Sequence, residues 1–280
     1  MKTSLNHHLK ACRRHANLES IKEKNMNLKF DLSLAEGYRS ASQIARVLTE
    51  DWLAKNMYCP ICGEMSIKRA EPNAPVKDYV CENCRSQYEL KSRHNNTSRF
   101  QSDVNDGEYS TMISRITSLD NPSFFFLHYD QNEVNNLVIV PKCFFTPQVI
   151  KMRPPLEATS RRAGWQGCII NMKEIPATAK IPIIVDGVPR PVQDVTTQYK
   201  KVYNLHTDSI EKRGWLLDTL RLVERLDTDF SLSQIYMFVD ELREKYPRNN
   251  HIKDKIRQQL QFLRDKGFIE FKGRGQYRRL

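Results

Sequence analysis

Two Cys-x2-Cys pairs, Cys59-Pro-Ile-Cys62 and Cys81-Glu-Asn-Cys84, are separated by the eighteen residues 63–80. The second pair is threaded between Asp78 and the triplet Glu89-Leu90-Lys91. Two such pairs across a spacer of about fifteen to twenty residues have the spacing of a four-thiolate zinc site. Each pair must turn sharply to aim two sulfurs at one tetrahedral ion, and Gly63 behind the first pair suits that turn. Four thiolates leave no open position for a substrate, so the expected zinc is structural. The alternatives are thiols buried as small hydrophobes or a redox pair, against which stands that two matched pairs at this distance are hard to obtain by accident. Cys12, Cys143 and Cys168 have no such partners, and the total of seven cysteines is odd. The first residues are polar and basic, without a signal-peptide core, so a disulfide framework is not expected and a reducing cytoplasm is. No apolar run approaches the roughly twenty residues that span a bilayer.

The interleaved carboxylates carry the chemistry. In Tyr88-Glu89-Leu90-Lys91, strand alternation puts Glu89 and Lys91 on one face and Tyr88 and Leu90 on the other. With Asp78 at the end of a neighbouring strand, Asp78 and Glu89 can hold magnesium between them, leaving the Lys91 ammonium near water and phosphate. Phosphodiester hydrolysis requires those parts: hard oxygen ligands, an activated water and positive charge at the phosphoryl centre. Spacing alone does not separate this set from a solvated strand face, and Lys77 rather than proline precedes Asp78. Glu50 and Asp51 lie on an early helix, where either could add a carboxylate or serve as surface charge.

The chain has 280 residues and a net charge of +11, and the excess is uneven: Arg248–Leu280 holds ten basic and three acidic residues. A basic excess clustered on one module is the footprint of phosphate contacts, although a merely soluble basic surface has the same signature. Residues 1–25 show no apolar periodicity and are expected to form a disordered extension, with Met26 a candidate start. Residues 42–54 place Ile44, Val47, Leu48 and Trp52 at helical spacing, with Ser40 or Ser42 as cap. A mobile loop is expected over Ser92–Asp103, a helix over 107–119, and a buried hairpin from 124–127 and 137–140. Further strands are expected over 166–171 and 181–185. The reading is an α/β domain over 26–206, whose end, from Asp186-Gly187 to Asp208, is a turn and polar linker.

Residues 207–280 differ in character. Three helical patterns (215–226, 231–246 and 251–266) precede a glycine-turned hairpin over 268–280, the order of a winged helix. The third helix would bury Ile252, Ile256, Leu260 and Leu263. It would leave Lys253, Arg257, Gln258 and Gln259 free for a major groove, with Arg274 on the wing tip reaching phosphate. Winged helices that bind proteins are the alternative.

Longer strings point to one family. From Met26 onward the chain resembles the DpnI-like family of methyl-directed type II restriction endonucleases. The resemblance rests on Arg46-Val-Leu-Thr-Glu-Asp-Trp52, Tyr58-Cys-Pro-x-Cys62, Asp78-x-x-Cys-x-Asn-Cys84 and Glu89-Leu-Lys-Ser92. It continues through Asn121-Pro-x-Phe-Phe-Phe-Leu127, Arg161-Arg-Ala-Gly-Trp-x-Gly-Cys168, Arg213-Gly-Trp215 and most of 249–275. It implies a PD-(D/E)XK nuclease core bearing a four-cysteine zinc site, joined to a C-terminal winged helix that also reads DNA. The implied activity is magnesium-dependent double-strand cleavage at GATC carrying 6-methyladenine, by a protein monomeric in solution. Asp78, Glu89 and Lys91 match the family's catalytic positions, and the four knuckle cysteines match its zinc ligands. Trp165 matches its aromatic near the methylated adenine, beside Arg161 and Arg162. Burying one methyl is worth roughly 0.8 kcal/mol, so reading several methyls through two domains would multiply a modest preference. An ordinary core tryptophan is the other reading of Trp165. A non-cleaving reader of methylated DNA or transcription regulator, and a nuclease of this fold indifferent to methylation, are the competing functions.

Overall fold

The structure is a computed structural model describing residues 25–71, 77–100, 103–118, 121–207 and 209–280. The expected N-terminal extension, with Cys12, lies outside them apart from Asn25. Helix α1 (Ala41–Asn56) buries Leu48 and Trp52 of the expected stripe together with Thr49 and Leu53, while Ile44 and Val47 are half-buried. Ser40 stands at its N-cap, but its hydroxyl meets Ser42 Oγ at 2.9 Å and caps no backbone N–H. The short strands β1 (Lys68–Arg69) and β2 (Tyr79–Val80) lead into β3 (Gln87–His94). Then come β4 (Val104–Glu108), α2 (Tyr109–Thr117), β5 (Ser123–Asp130) and β6 (Glu133–Val140). The domain closes with β7 (Ile150–Met152), β8 (Gly167–Ile170), β9 (Ile181–Val185), β10 (Val188–Pro189) and α3 (Val192–Tyr203).

A seven-stranded mixed sheet of order β1-β2-β3-β5-β6-β9-β10 forms the centre. Its one parallel pairing among the described residues is β3 with β5, Glu89 opposite Phe124 and Lys91 opposite Phe126. Phe124, Phe125, Phe126 and Leu127 are all buried. Covered on both faces, β5 carries a continuous apolar run instead of an alternating one. A smaller antiparallel sheet, β4-β8-β7, stands beside it.

Two expectations are corrected here. The loop over Ser92–Asp103 is shorter, because β3 runs on to His94 and Phe100 is buried, stacked on His128 at 4.0 Å. The polar linker expected up to Asp208 contains α3. Its Val192, Val195, Tyr199 and Val202 form a buried stripe, and Tyr199 Oη meets Ser123 Oγ of β5 at 2.8 Å. The intervening Gln, Asp, Thr and Lys residues hide that stripe in the sequence.

The C-terminal region folds as α4 (Ile210–Glu224), β11 (Asp229–Ser231), α5 (Leu232–Tyr236), α6 (Val239–Lys245), α7 (Ile252–Asp265), β12 (Ile269–Gly273) and β13 (Gln276–Arg279). The helix expected over 231–246 is broken at Met237-Phe238 into α5 and α6. Ser231 caps α5 in a reciprocal box with Gln234. Strands β11, β13 and β12 form the wing sheet. Its turn, Gly273-Arg274-Gly275, has positive φ throughout (95°, 49° and 74°), which the flanking glycines adopt without strain. Among the described residues no helix is long and apolar enough to cross a membrane.

Candidate active site and metal centre

The four cysteines expected to bind zinc converge. The sulfurs of Cys59, Cys62, Cys81 and Cys84 all lie within 4.8 Å of one another, with Cys59 and Cys81 buried, so the cluster could hold zinc. Its chemistry fits a divalent cation. Burial pushes the Cys59 thiol up, while the other three sulfurs bonding toward Cys81 hold that thiol down. The cluster thus favours negative charge on part of its sulfur, which a cation would neutralise. Surrounding groups orient the sulfurs: Tyr88 Oη meets Cys59 Sγ at 2.9 Å and Ser86 Oγ meets Cys84 Sγ at 3.1 Å.

Tyr88 joins this centre to the carboxylates. Its ring faces the cysteines from β3, and its carbonyl accepts the Asp78 N–H at 2.8 Å. Strand alternation then turns the next residue, Glu89, to the opposite face. The Asp78 carboxylate is fixed in turn, Oδ2 accepting the Leu90 N–H at 2.7 Å. The four-cysteine corner therefore braces the β2–β3 hairpin on which Asp78 and Glu89 stand.

Asp78, Glu89 and Lys91 come together at this point. Lys91 Nζ donates to Glu89 Oε1 at 2.8 Å. Burial raises the Asp78 carboxyl above its ordinary range against the Leu90 N–H and Lys91. Burial likewise pushes Glu89 up to about 7, with Lys91 opposing and Asp78 adding to the rise. Burial works against the Lys91 ammonium, yet Asp106 and Glu89 outweigh it and hold Lys91 above its usual range. Glu89 Oε2 is buried with no hydrogen-bond partner among the described residues. A buried carboxylate oxygen without a partner is costly, and Asp78 and Glu89 together could hold a hard cation there. Of the two uncommitted helix acids, Glu50 lies near enough to Asp78 to raise its carboxyl, whereas Asp51 pairs with Lys55 at 2.8 Å.

Sequence reasoning missed Asp106. Its Oδ1 accepts from Lys91 Nζ at 2.6 Å, and both side chains are nearly buried. The helix expected from residue 107 starts at Tyr109, and Asp106-Gly107 lies within β4, where the pairing with β8 shifts register between Asp106 and Glu108. No periodicity in the sequence announces a strand that short and irregular.

The same small sheet carries the Trp165 segment. Asp106 pairs with Cys168 on β8, and the Tyr109 N–H donates to the Gln166 carbonyl at 3.0 Å. Trp165 is half-buried, with the Arg162 guanidinium 4.4 Å from its ring centroid; Arg161 and Arg162 are exposed. Gly167 admits the indole, since a Cβ there would lie 2.9 Å from Trp165 Cη2.

On α7, Lys253, Arg257 and Gln258 are exposed, as is Arg274 on the wing turn. The Lys253 ammonium and Arg257 guanidinium lie over the Tyr236 ring at 5.3 and 5.7 Å. Gln259 is a correction: it is 6% exposed and shares the buried face of Ile252, Ile256, Leu260 and Leu263, so it does not face a groove. Position 259 lies seven residues after Ile252, which returns it to the apolar stripe despite its polarity.

Two family models match the chain: one described as "DpnI: Dam-replacing family" over residues 26–208, and one described as "Dam-replacing HTH domain" over 211–279.

Proposed function

The chain belongs to the Dam-replacing family of DpnI, and on that premise we propose that it is a methylation-dependent type II restriction endonuclease. It cleaves both strands of DNA at GATC containing 6-methyladenine, works as a monomer in the reducing cytoplasm, and divides into a nuclease domain (26–206) and a winged-helix domain (207–280). The observation that carries this reading is the meeting of Asp78, Glu89 and Lys91 on one hairpin, with a buried carboxylate oxygen left free for a hard cation.

Asp78 and Glu89 would hold magnesium, which supplies Lewis-acid charge at the phosphoryl oxygens and acidifies water. The chain's own residues do the rest. Lys91 sets a fixed positive charge beside the scissile phosphate, where it is worth most as charge builds in the transition state. Cys59, Cys62, Cys81 and Cys84 would hold zinc, which would keep the hairpin in register. Trp165 offers the methyl group a dry aromatic face, with Arg161 and Arg162 beside it for phosphate. Lys253, Arg257 and Gln258 on α7, with Arg274 on the wing, form the second reader; Arg and Gln suit guanine and adenine edges in the major groove.

The test incubates the protein and magnesium with one plasmid prepared with and without adenine methylation at GATC. Lys91→Ala and magnesium-free reactions serve as controls. Cutting of the methylated plasmid alone, lost in both controls, is expected. Cutting of both plasmids would leave a nuclease without methyl reading. Methyl-dependent gel shifts without cutting would leave a non-cleaving reader.

A further inference from the structure

We propose that Asp106 is a positioning residue for Lys91, holding the ammonium between two sheets so that one of its N–H groups stays free for substrate. The proposal rests on the reading of Asp78, Glu89 and Lys91 as the reacting set. A lysine ammonium has three N–H groups and no acceptor. Lys91 gives one to Glu89 Oε1 at 2.8 Å and a second to Asp106 Oδ1 at 2.6 Å. The two acceptors stand on different sheets, Glu89 on β3 and Asp106 on β4, so the ammonium is fixed from two directions.

Asp106 is itself held. Its Oδ1 also accepts the Gly107 N–H at 2.7 Å, and the register shift between Asp106 and Glu108 locally breaks the pairing with β8. The Lys91 and Asp106 side chains are 14% and 11% exposed, so little water screens the pair. Without Asp106 the ammonium would be drawn onto Glu89 and Asp78 alone, toward the oxygens a cation needs. A displacement of about 1 Å of a group that must meet the reacting phosphate can cost about 100-fold in rate.

Cleavage of methylated GATC DNA at saturating magnesium by the wild type, Asp106→Ala and Asp106→Asn tests this. Asp106→Ala is expected to lose about 100-fold in kcat with KM for DNA nearly unchanged. Asp106→Asn, whose amide oxygen still accepts from Nζ, is expected to recover part of that loss. A kcat within about threefold of wild type in both variants overturns the proposal. So does a loss that excess magnesium restores, which would make Asp106 a metal ligand. Melting temperatures of Lys91→Met, Asp106→Ala and the double variant give a readout without cleavage. The double variant is expected to lose less than the sum of the single losses, whereas additive losses would show no contact. Should the wild type cut no DNA, the functional reading fails, while the melting cycle still decides whether Asp106 holds Lys91.

Discussion

If Asp78 and Glu89 hold magnesium as proposed, a proton and the cation compete for the Glu89 carboxylate, and burial tilts that competition toward the proton by pushing Glu89 up to about 7. Above that pH the carboxylate is ionised and open to metal; below it, each further unit of acid raises the ratio of protonated to ionised Glu89, and so the metal needed, about tenfold. The magnesium concentration giving half-maximal cleavage is therefore expected to rise about tenfold between pH 6.5 and 5.5 and to flatten above pH 8. Magnesium titrations of cleavage at several pH values measure this, and a flat profile from pH 5.5 to 8 would remove Glu89 from the ligand set. At this scale the sequence was legible wherever a residue's partners lie close in the chain. Asp78, Glu89, Lys91 and the four cysteines fall within the 26 residues from Cys59 to Cys84 and the short strand that follows. Asp106 and Gln259 were not legible, for opposite reasons. Asp106 lies fifteen residues from Lys91, but it is placed by a short strand whose pairing with β8 lies more than sixty residues away and leaves no local pattern, and Gln259 is a polar residue that helix geometry places on the buried face.

Among the elements, the β2–β3 hairpin matters most, and its short strands cannot hold it alone. β2 has two residues, and its pairing with β3 consists of Tyr79 with Tyr88 and Val80 with Gln87. Two pairings are too few for a stable hairpin, so the four-cysteine corner and the buried Tyr79 and Tyr88 must supply the rest. Stripping zinc with a strong chelator is expected to lower the melting temperature by roughly 10 °C or more and to abolish cleavage that added magnesium does not restore. Readdition of zinc is expected to restore both. Unchanged melting in protein shown free of zinc by elemental analysis would make the cluster four buried thiols. Elements with a strong apolar pattern were readable from the sequence, α1 because its apolar positions recur at helical spacing and the β5–β6 hairpin because each strand carries an unbroken apolar run. α3 was misread as linker because its stripe is diluted by polar neighbours, and only its docking on β5 through Tyr199 and Ser123 makes it visible. The break of the expected second C-terminal helix at Met237-Phe238 carries no glycine or proline to signal it.

At the scale of the molecule, α4 joins the two matched regions; it buries Trp215, Leu216, Leu217, Leu220, Leu222 and Val223, and a set of charged and polar contacts surrounds that apolar seam. Glu174, from the nuclease side, pairs with Arg221 of α4 and lies 3.2 Å from Lys245 at the end of α6. Glu224 accepts the Ala177 and Thr178 N–H groups at 2.7 and 2.8 Å, and Gln148 Nε2 donates to Tyr246 Oη at 3.3 Å. Within the winged-helix module, Trp215 stacks on Tyr246 at 3.9 Å, and the buried Asp218 accepts from Tyr246 Oη at 2.6 Å. Such contacts fix the two modules relative to one another directionally, and a single substitution can loosen them without unfolding either module. Glu174→Ala leaves Arg221 and Lys245 with one acidic partner fewer. Because these side chains are about a fifth to a quarter exposed, the expected cost is about 1–2 kcal/mol, below that of breaking a fully buried pair. The variant is expected to cleave an oligonucleotide with one fully methylated site at an unchanged kcat, since no group at Asp78, Glu89 or Lys91 is touched. Calorimetry is expected to split a joint unfolding transition into two, one per module, as the coupling between them weakens. A single unshifted transition in the variant would mean that the charge network does not couple the modules and that the apolar contacts of α4 hold them together.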